Sequence, residues 1–213
     1  MNKRGKRRKD YLIMNKHFIE NGLYMAKQFK IRKFIENLID SVPDLETVVL
    51  FGSSISKTKK IPGDIDLLAL KRNAKPQLDV FHELLDNKTL EVTVIDIDKF
   101  ERELRAGHPF ALNIVRNGLP LYDRGLWNNY LRYKSKQPGQ RFIASYLNKA
   151  RKLLKEKRLP AATIYVLNAL LLSQNKVDLS HKLDNLKEKT DVKNINEQIL
   201  TNILEEVRVK VER

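Results

Sequence analysis

The chain has 213 residues, of which 42% are hydrophobic, and a formal net charge of +15 at pH 7. The apolar fraction is sufficient for a folded core, and the absence of cysteine excludes disulfides, thiolate zinc sites and a cysteine nucleophile. No apolar run approaches the about 18 residues of a membrane span, and the N-terminus lacks the apolar stretch of a secretory signal. We therefore expect a soluble, cytoplasmic protein.

The positive charge is concentrated near the N-terminus. Residues 1–33 contain eleven lysines and arginines against two acidic residues. Such a segment favours a polyanion such as RNA, with an affinity that falls as salt rises, and a solvated tail that only aids solubility is an equal alternative. We expect residues 1–26 to form a basic arm, partly disordered or helical.

The residues that follow predict alternating helices and short apolar strands. The predicted strands are Thr47–Phe51, Asp64–Leu70, Leu90–Ile97 and the short edge strand Leu121–Tyr122. The predicted helices are Phe18–Asp40, a helix from Pro76 to about Asp86 that would carry His82, a helix capped by Asp98, and Pro109–Asn117 with Gly118 as a left-handed stop. These elements predict a first domain over residues 27–134.

The composition changes beyond Asp123. Ser135–Gln140 reads as a linker because Pro138 and Gly139 lie at its centre. Three amphipathic helices are predicted after it, namely Phe142–Lys157, Ala161–Ser173 and Ile195–Val211. The last carries an apolar stripe that must be buried, either within the chain or in a homodimer. Residues 139–213 are therefore predicted to form a C-terminal helical domain.

The motif with the most chemical information lies at residues 52–66. An apolar strand runs into Gly52 and Ser53, ten residues follow, and Asp64-Ile65-Asp66 opens a second apolar strand. Glycine lets the backbone approach a ligand closely, and a turn that starts a helix directs N–H groups at an anion. Asp64 and Asp66 project to the same face of the strand because side chains alternate along it. Paired carboxylates of this kind suit Mg²⁺.

This motif resembles the signature of the DNA polymerase beta-like nucleotidyltransferase superfamily, and most of all its minimal nucleotidyltransferases. The stretch Asn113–Tyr122 is also similar to the helix–Gly–Leu-Tyr ending of many compact members. The resemblance implies a nucleotidyltransferase fold of the α/β (α+β) class, with a small mixed sheet flanked by helices. It implies that Gly52 and Ser53 hold the nucleotide triphosphate, and that Asp64 and Asp66 bind magnesium in a two-metal site.

The same family usually has a third carboxylate on the next strand, where it holds metal and helps to deprotonate the attacking hydroxyl. The candidates here are Glu91, Asp96 and Asp98. Asp98 is predicted to cap a helix, and Asp96 shares a face with apolar residues that are expected in the core. Glu91 is therefore favoured, as a catalytic and metal-binding residue, and Asp96 is the alternative.

The resemblance implies a transferase (EC 2.7.7 type) that moves a nucleoside monophosphate, expected to be AMP from ATP, to a hydroxyl acceptor and releases pyrophosphate. The acceptor is open: a protein, as in compact family members that adenylylate HEPN-type toxins, or RNA, or a small molecule. A cationic small molecule ranks last because the protein is itself basic. The alternative is a catalytically silent module that keeps the fold and binds nucleic acid or a protein partner.

Overall fold

The computed structural model describes residues 22–55, 65–74, 79–85, 88–177, 179, 183–192 and 195–212. Most of the predicted basic arm, Asp64 and Pro76 lie outside these residues. The chain divides into two compact units. The first comprises the described residues up to Arg102 together with Ile114–Lys134, and the second comprises Glu103–Asn113 and the described residues from Ser135 onward.

The first unit is built on a five-stranded mixed sheet, as the sequence predicts for an α/β chain. Its strands are β1 (Leu45–Phe51), β2 (Ile65–Lys71), β3 (Asp79–Leu85), β4 (Lys88–Asp96) and β5 (Leu119–Asp123), in the spatial order β3-β4-β2-β1-β5. Strands β2 and β4 are parallel, and all other neighbours are antiparallel. The helices α1 (Gly22–Ser41) and the short α4 (Trp127–Tyr130) belong to this unit. Helices α2 (Ile97–Ala106) and α3 (Pro109–Asn117) are each divided between the two units.

One face of the sheet packs against α1. The side chains that meet there are alternate residues of the strands, as the two-residue period of a strand requires. They form one buried cluster with Ile35 and Leu38 of α1, namely Ile65, Leu67 and Ala69 of β2 and Leu90, Val92 and Val94 of β4. Asp66 and Glu91 therefore lie on the opposite face.

The helix predicted from Pro76 to Asp86 is wrong, because residues 79–85 form the edge strand β3. Its register with β4 runs from Asp79↔Val94 to Leu85↔Lys88, which makes an antiparallel hairpin. Pairing along seven residues outweighs the local helix preference of this segment. The sequence signal that predicts the hairpin is the polar pair Asp86-Asn87 between two runs of strand-forming residues.

The N-cap of α2 is Asp96 and not Asp98. The Asp96 carboxylate accepts hydrogen bonds from the backbone N–H groups of Asp98 (3.0 Å), Lys99 (3.2 Å) and Ala74 (3.2 Å). Asp98 is exposed within the first turn, where its charge still favours the helix dipole. The helix starts two residues earlier than the predicted capping box because the strand ends at Asp96.

Gly118 ends α3 without adopting the left-handed conformation that was predicted for it. Its N–H donates to the carbonyl of Ile114 at 2.7 Å. A Cβ at this position would lie 2.5 Å from that carbonyl oxygen and 2.7 Å from Cγ1 of Val49. A glycine is therefore required here by close packing against β1.

The second unit contains four helices after residue 135 in the described part of the chain, one more than the sequence predicts. They are α5 (Gln140–Lys155), α6 (Leu159–Ser173), α7 (Leu183–Thr190) and α8 (Glu197–Glu212). The sequence does not predict helix α7, because only two of its eight residues are apolar and they are too few to show a helical period. None of the described helices is both long and apolar enough to cross a bilayer.

Helix α6 lies at the centre of this unit. The sequence predicts an amphipathic helix here, but the structure shows a helix that is buried on several sides. It packs against α5, α7 and α8, and buries nine residues on several sides, from Ala162 to Leu172. Helix α8 buries Leu200, Leu204 and Val207. Val207 belongs to the predicted apolar stripe, and Ile195 and Ile203 of the same stripe are partly buried against Leu167, Leu171 and Leu186. The stripe is therefore buried at least in part within the chain.

A buried carboxylate joins β1, β5 and α4. Asp123 is 5% exposed and its Oδ1 atom accepts hydrogen bonds from the hydroxyl of Thr47 (2.8 Å) and the backbone N–H groups of Leu126 and Trp127 (both 3.0 Å). A buried charge is stable only when it is paired or fully hydrogen-bonded. Asp123 therefore fixes the start of α4 to β1.

We expect Asp123→Ala to lower the free energy of unfolding by about 2–4 kcal/mol, because three buried donors lose their acceptor. Thr47→Val removes one of these donors at similar volume and should cost about 1 kcal/mol. Urea unfolding of the two variants and of the double variant measures both effects. A loss below about 0.5 kcal/mol for Asp123→Ala would contradict this role.

His108 precedes α3 and packs in the second unit. Its ring meets that of Phe142 edge-on at 4.8 Å, and the guanidinium of Arg141 lies 4.7 Å from the same phenyl ring. Within the described part of the chain its Nδ1 atom is buried without a hydrogen-bond partner. Burial lowers the pKa of His108, and Arg141 lowers it further, while Glu103 partly offsets both effects.

A lowered pKa in the folded state means that the unfolded chain binds more protons as the pH falls through the ordinary histidine value of 6.5. We therefore expect His108 to make the protein less stable on acidification, from about pH 7 downward until the pH reaches the folded pKa. Urea midpoints between pH 8 and 5.5 should fall more steeply for the wild type than for His108→Gln. Parallel curves would refute the effect, since the other histidines are common to both proteins.

Candidate functional site

The predicted phosphate turn lies at the end of β1. Gly52 follows Phe51 directly, is exposed, and opens a 3₁₀ turn that runs from Gly52 to Ile55 and includes Ser53. Its φ of 71° is in the left-handed region, which glycine adopts without steric cost. The backbone therefore turns sharply at the point where the sequence predicts contact with an anion.

Gly52 and Asp66 are in direct contact across β1 and β2. Their strands are antiparallel, with Phe51 paired to Asp66, so the end of β1 meets the beginning of β2. A Cβ built on Gly52 would lie 2.2 Å from Oδ2 of Asp66 and 3.1 Å from its Cγ. Any larger residue at position 52 therefore requires the Asp66 carboxylate to move.

Asp66 and Glu91 are neighbours on adjacent strands. Parallel strands β2 and β4 pair Asp66 with Glu91, so the two residues lie about 4.8 Å apart at their Cα atoms and on the same face. Both side chains are partly exposed, and neither is enclosed in the core. Two carboxylates thus lie side by side at the end of the sheet that Gly52 also occupies.

The register separates the two alternatives for the third carboxylate. Glu91 lies beside Asp66, whereas Asp96 pairs with Lys71 at the opposite end of β4. Asp96 is also engaged as the N-cap of α2. The structure therefore brings Gly52, Asp66 and Glu91 together and places Asp96 away from them.

Glu91 has a second neighbour, on the side of β3, that the sequence does not predict. The hairpin register pairs His82 of β3 with Glu91, so four strands contribute to one row across the sheet. The row consists of Phe51, Asp66, Glu91 and His82. The predicted helix gives His82 a surface or packing role, and the apolar residues of β3 come in pairs and do not alternate, so only the register with β4 reveals this neighbour.

The donor set can be compared with what a magnesium ion requires. Among the described residues, no group of three or more acidic or histidine side chains could hold a metal ion. Asp64, which would be the third carboxylate, lies outside the described part of the chain. Asp66 and Glu91 provide two hard oxygen donors beside an exposed turn, which suits Mg²⁺ because that ion binds through one or two carboxylates plus water and phosphate.

Comparison with known proteins gives only distant structural likenesses. No protein-family model and no curated protein matches the chain. A nucleotidyltransferase-like protein from Exiguobacterium sibiricum is 13% identical, with 87% of this chain and 73% of that chain covered and a TM-score of 0.41. A mutant of the toxin-antitoxin MntA-HpeT is 18% identical, with 59% and 95% covered and a TM-score of 0.31. A toxin-antitoxin structure with AMP-PNP is 20% identical, with 59% and 95% covered and a TM-score of 0.30.

At identities of 20% or less and TM-scores below 0.5, the chemistry of this chain has to be argued from its own residues. Gly52, Asp66 and Glu91 are the described residues on which that argument rests.

We expect Gly52→Ala to be more damaging than Gly125→Ala. Both glycines have a positive φ, so each alanine costs about 1–2 kcal/mol of backbone strain. A Cβ on Gly125 meets no atom within 4 Å, whereas one on Gly52 collides with Asp66. Urea unfolding should therefore show at least about 1 kcal/mol of additional loss for Gly52→Ala. Equal losses would show that Asp66 moves away from the turn without cost.

Proposed function

We propose that this protein is a magnesium-dependent nucleotidyltransferase. It moves a nucleoside monophosphate from a nucleoside triphosphate to a hydroxyl group and releases pyrophosphate. The observation that supports this most is the contact of Gly52 with Asp66, together with the pairing of Asp66 with Glu91. An exposed anion-binding turn and paired carboxylates at one sheet end are what this reaction needs.

Gly52 and Ser53 would bind the triphosphate through the turn that they open. With no Cβ on Gly52, phosphate oxygens can approach the backbone N–H groups of this turn. Asp66 and Glu91, with Asp64 from the preceding residues, would hold the metal. When bound, magnesium would neutralise the phosphate charge that these carboxylates otherwise repel.

In the proposed reaction the acceptor oxygen attacks the α-phosphorus in line with the bond to the β-phosphate. A new oxygen–phosphorus bond forms, the bond to the bridging oxygen breaks, and that oxygen leaves with pyrophosphate. The acceptor proton passes to a carboxylate, for which we propose Glu91. Its position beside Asp66 and its partial exposure leave room for an acceptor.

We propose ATP as the donor, with AMP as the transferred group, and a protein or an RNA as the acceptor. A toxin-type protein remains among the protein candidates. These finer assignments depend on an experiment that identifies the labelled product. Incubation with each of the four triphosphates, labelled at the α-phosphate, with Mg²⁺ and a cell lysate separates the classes, because protease releases label from protein and nuclease releases it from RNA.

We expect Asp66→Asn and Glu91→Gln each to lower transfer of label at least about 100-fold, since each removes a charge needed at the reacting phosphate. Asp64→Asn should have the same effect. The urea midpoint should change little, because both described side chains are partly exposed. Asp44→Asn is the matched control: it removes one exposed carboxylate in the same unit, at a position whose φ of 61° asparagine also adopts.

Transfer at near wild-type rate in Asp66→Asn would refute the catalytic proposal. Absence of label in every pool for the wild type, together with salt-sensitive binding of RNA, would favour the catalytically silent module instead. Chelation of divalent cations should stop transfer in the wild type and thus tests the metal requirement separately.

A further inference from the structure

Helix α5 is the centre of a strongly basic segment of the second half of the chain. Residues 124–158 contain eleven lysines and arginines and a single acidic residue, Glu156. This segment is separate in sequence from the basic N-terminus, and its residues are all described. Five of these basic residues lie on α5, namely Arg141, Lys149, Arg151, Lys152 and Lys155.

The two faces of α5 differ in character. Ile143, Leu147, Ala150 and Leu153 are buried on one face, which packs against α6 and α8. The opposite face is exposed and carries only basic or small polar side chains, namely Arg141, Ser145, Asn148, Lys149, Lys152 and Lys155. We call this exposed set the α5 basic face.

The positive charges of the α5 basic face are poorly compensated. Lys152 lies 3.9 Å from Glu156, but Glu156 also lies 3.7 Å from Arg158, so one carboxylate serves two cations. In the described part of the chain, neither Lys149 nor Lys155 has an ion pair. By contrast, Arg208 and Lys210 of α8 are paired with glutamates of their own helix.

Only part of this charge pattern stabilises the helix. Lys149, Lys152 and Lys155 follow each other at intervals of three residues, where like charges repel. Arg141 lies in the first turn, where a cation opposes the helix dipole, and that turn has no acidic residue. Lys152 and Lys155 lie in the last turn, where cations favour the dipole, so helix stability accounts for these two lysines but not for Lys149 or Arg141.

We propose that the α5 basic face binds the phosphodiester backbone of a nucleic acid. The three lysines are about 4.5 Å apart along the helix axis, comparable with the spacing of successive phosphates in a strand. The half-buried rings of Phe142 and Tyr146 border the same face, two turns and one turn before Lys149, respectively. Cations flanked by aromatic rings are a common combination in surfaces that bind single strands.

A membrane surface fits this face less well. A helix that lies in a bilayer interface inserts its apolar side into the lipid. The apolar side of α5 is already buried against α6 and α8, so only the charged side is free to contact a partner. The proposal stands independently of the nucleotidyltransferase activity, because it uses no residue of the Gly52–Asp66–Glu91 site.

The test is binding of the full-length protein to a fluorescein-labelled 20-nucleotide single-stranded RNA, measured by fluorescence anisotropy at several salt concentrations. The variant replaces Lys149, Lys152 and Lys155 by glutamine. We expect its Kd at 0.1 M salt to rise about 10- to 100-fold, and the slope of log affinity against log salt to decrease by about 2, from three lost phosphate contacts. Arg141 is left unchanged because it stacks on Phe142.

The matched control replaces Lys187, Arg208 and Lys210 by glutamine, which removes the same formal charge from other helices of the same unit. Its Kd should change less than about threefold. A second variant, with arginine at all three α5 positions, keeps the charge and should restore binding to within about threefold. The melting temperature of the glutamine variant should stay close to that of the wild type, because all three side chains are exposed.

Each outcome decides the proposal. Equal losses in the two glutamine triple variants would show that only net charge matters and would overturn it. Binding of a poly-glutamate peptide as tight as that of RNA, with the same loss in the α5 variant, would assign the face to acidic proteins instead. The same measurements with single-stranded DNA and with duplex RNA show which form of the phosphodiester backbone is bound.

Discussion

At the end of β1 the backbone and a carboxylate approach so closely that any side chain between them would require the carboxylate to move. The distance of 2.2 Å between a Cβ on Gly52 and Oδ2 of Asp66 depends on the pairing of β1 with β2. That pairing depends in turn on the apolar core. A slip of β2 by one residue would turn Asp66 toward α1 and turn Ile65, Leu67 and Ala69 away from it. Burial of these apolar residues therefore holds Asp66 in its place.

The same reasoning extends to Glu91. Leu90, Val92 and Val94 of β4 belong to the cluster that packs on α1, so Glu91 has to lie on the other face with Asp66. Polar anchors at the far end of the sheet support this register. Asp96 fixes the start of α2, and Asp123 ties β1 and β5 to α4. The arrangement of the candidate site thus follows from core packing and from two caps that take no part in its chemistry.

Much of this arrangement follows from the sequence because it depends on strong local patterns. The apolar runs of β1, β2 and β4 and the boundaries of α3 are confirmed to within two residues, and the spacing from Gly52 to Asp66 is a property of the motif itself. The edge strand β3 could not be predicted from local patterns in this way. Its local sequence also suits a helix, and the pairing with β4 that decides between them is a tertiary interaction.

The remaining differences have the same origin. The residue that caps α2, Asp96 or Asp98, depends on where the strand before it ends. The role of Gly118 depends on its distance to Val49, which makes close packing and not a positive φ the reason for glycine. The choice between Glu91 and Asp96 also required a register, because both residues lie on one strand. The sequence favoured Glu91 through face alternation, and the structure adds that Asp96 lies at the other end.

The distribution of charge links the two proposed binding surfaces. Residues 1–33 and 124–158 together hold twenty-two of the forty-one basic residues but only three of the twenty-six acidic ones. The rest of the chain, which includes Asp64, Asp66 and Glu91, is therefore slightly acidic. A triphosphate beside these carboxylates is repelled unless a divalent cation is present, whereas a polynucleotide on α5 needs no such ion. The two surfaces must therefore respond differently to the same solution: removal of magnesium weakens the first, and monovalent salt weakens mainly the second.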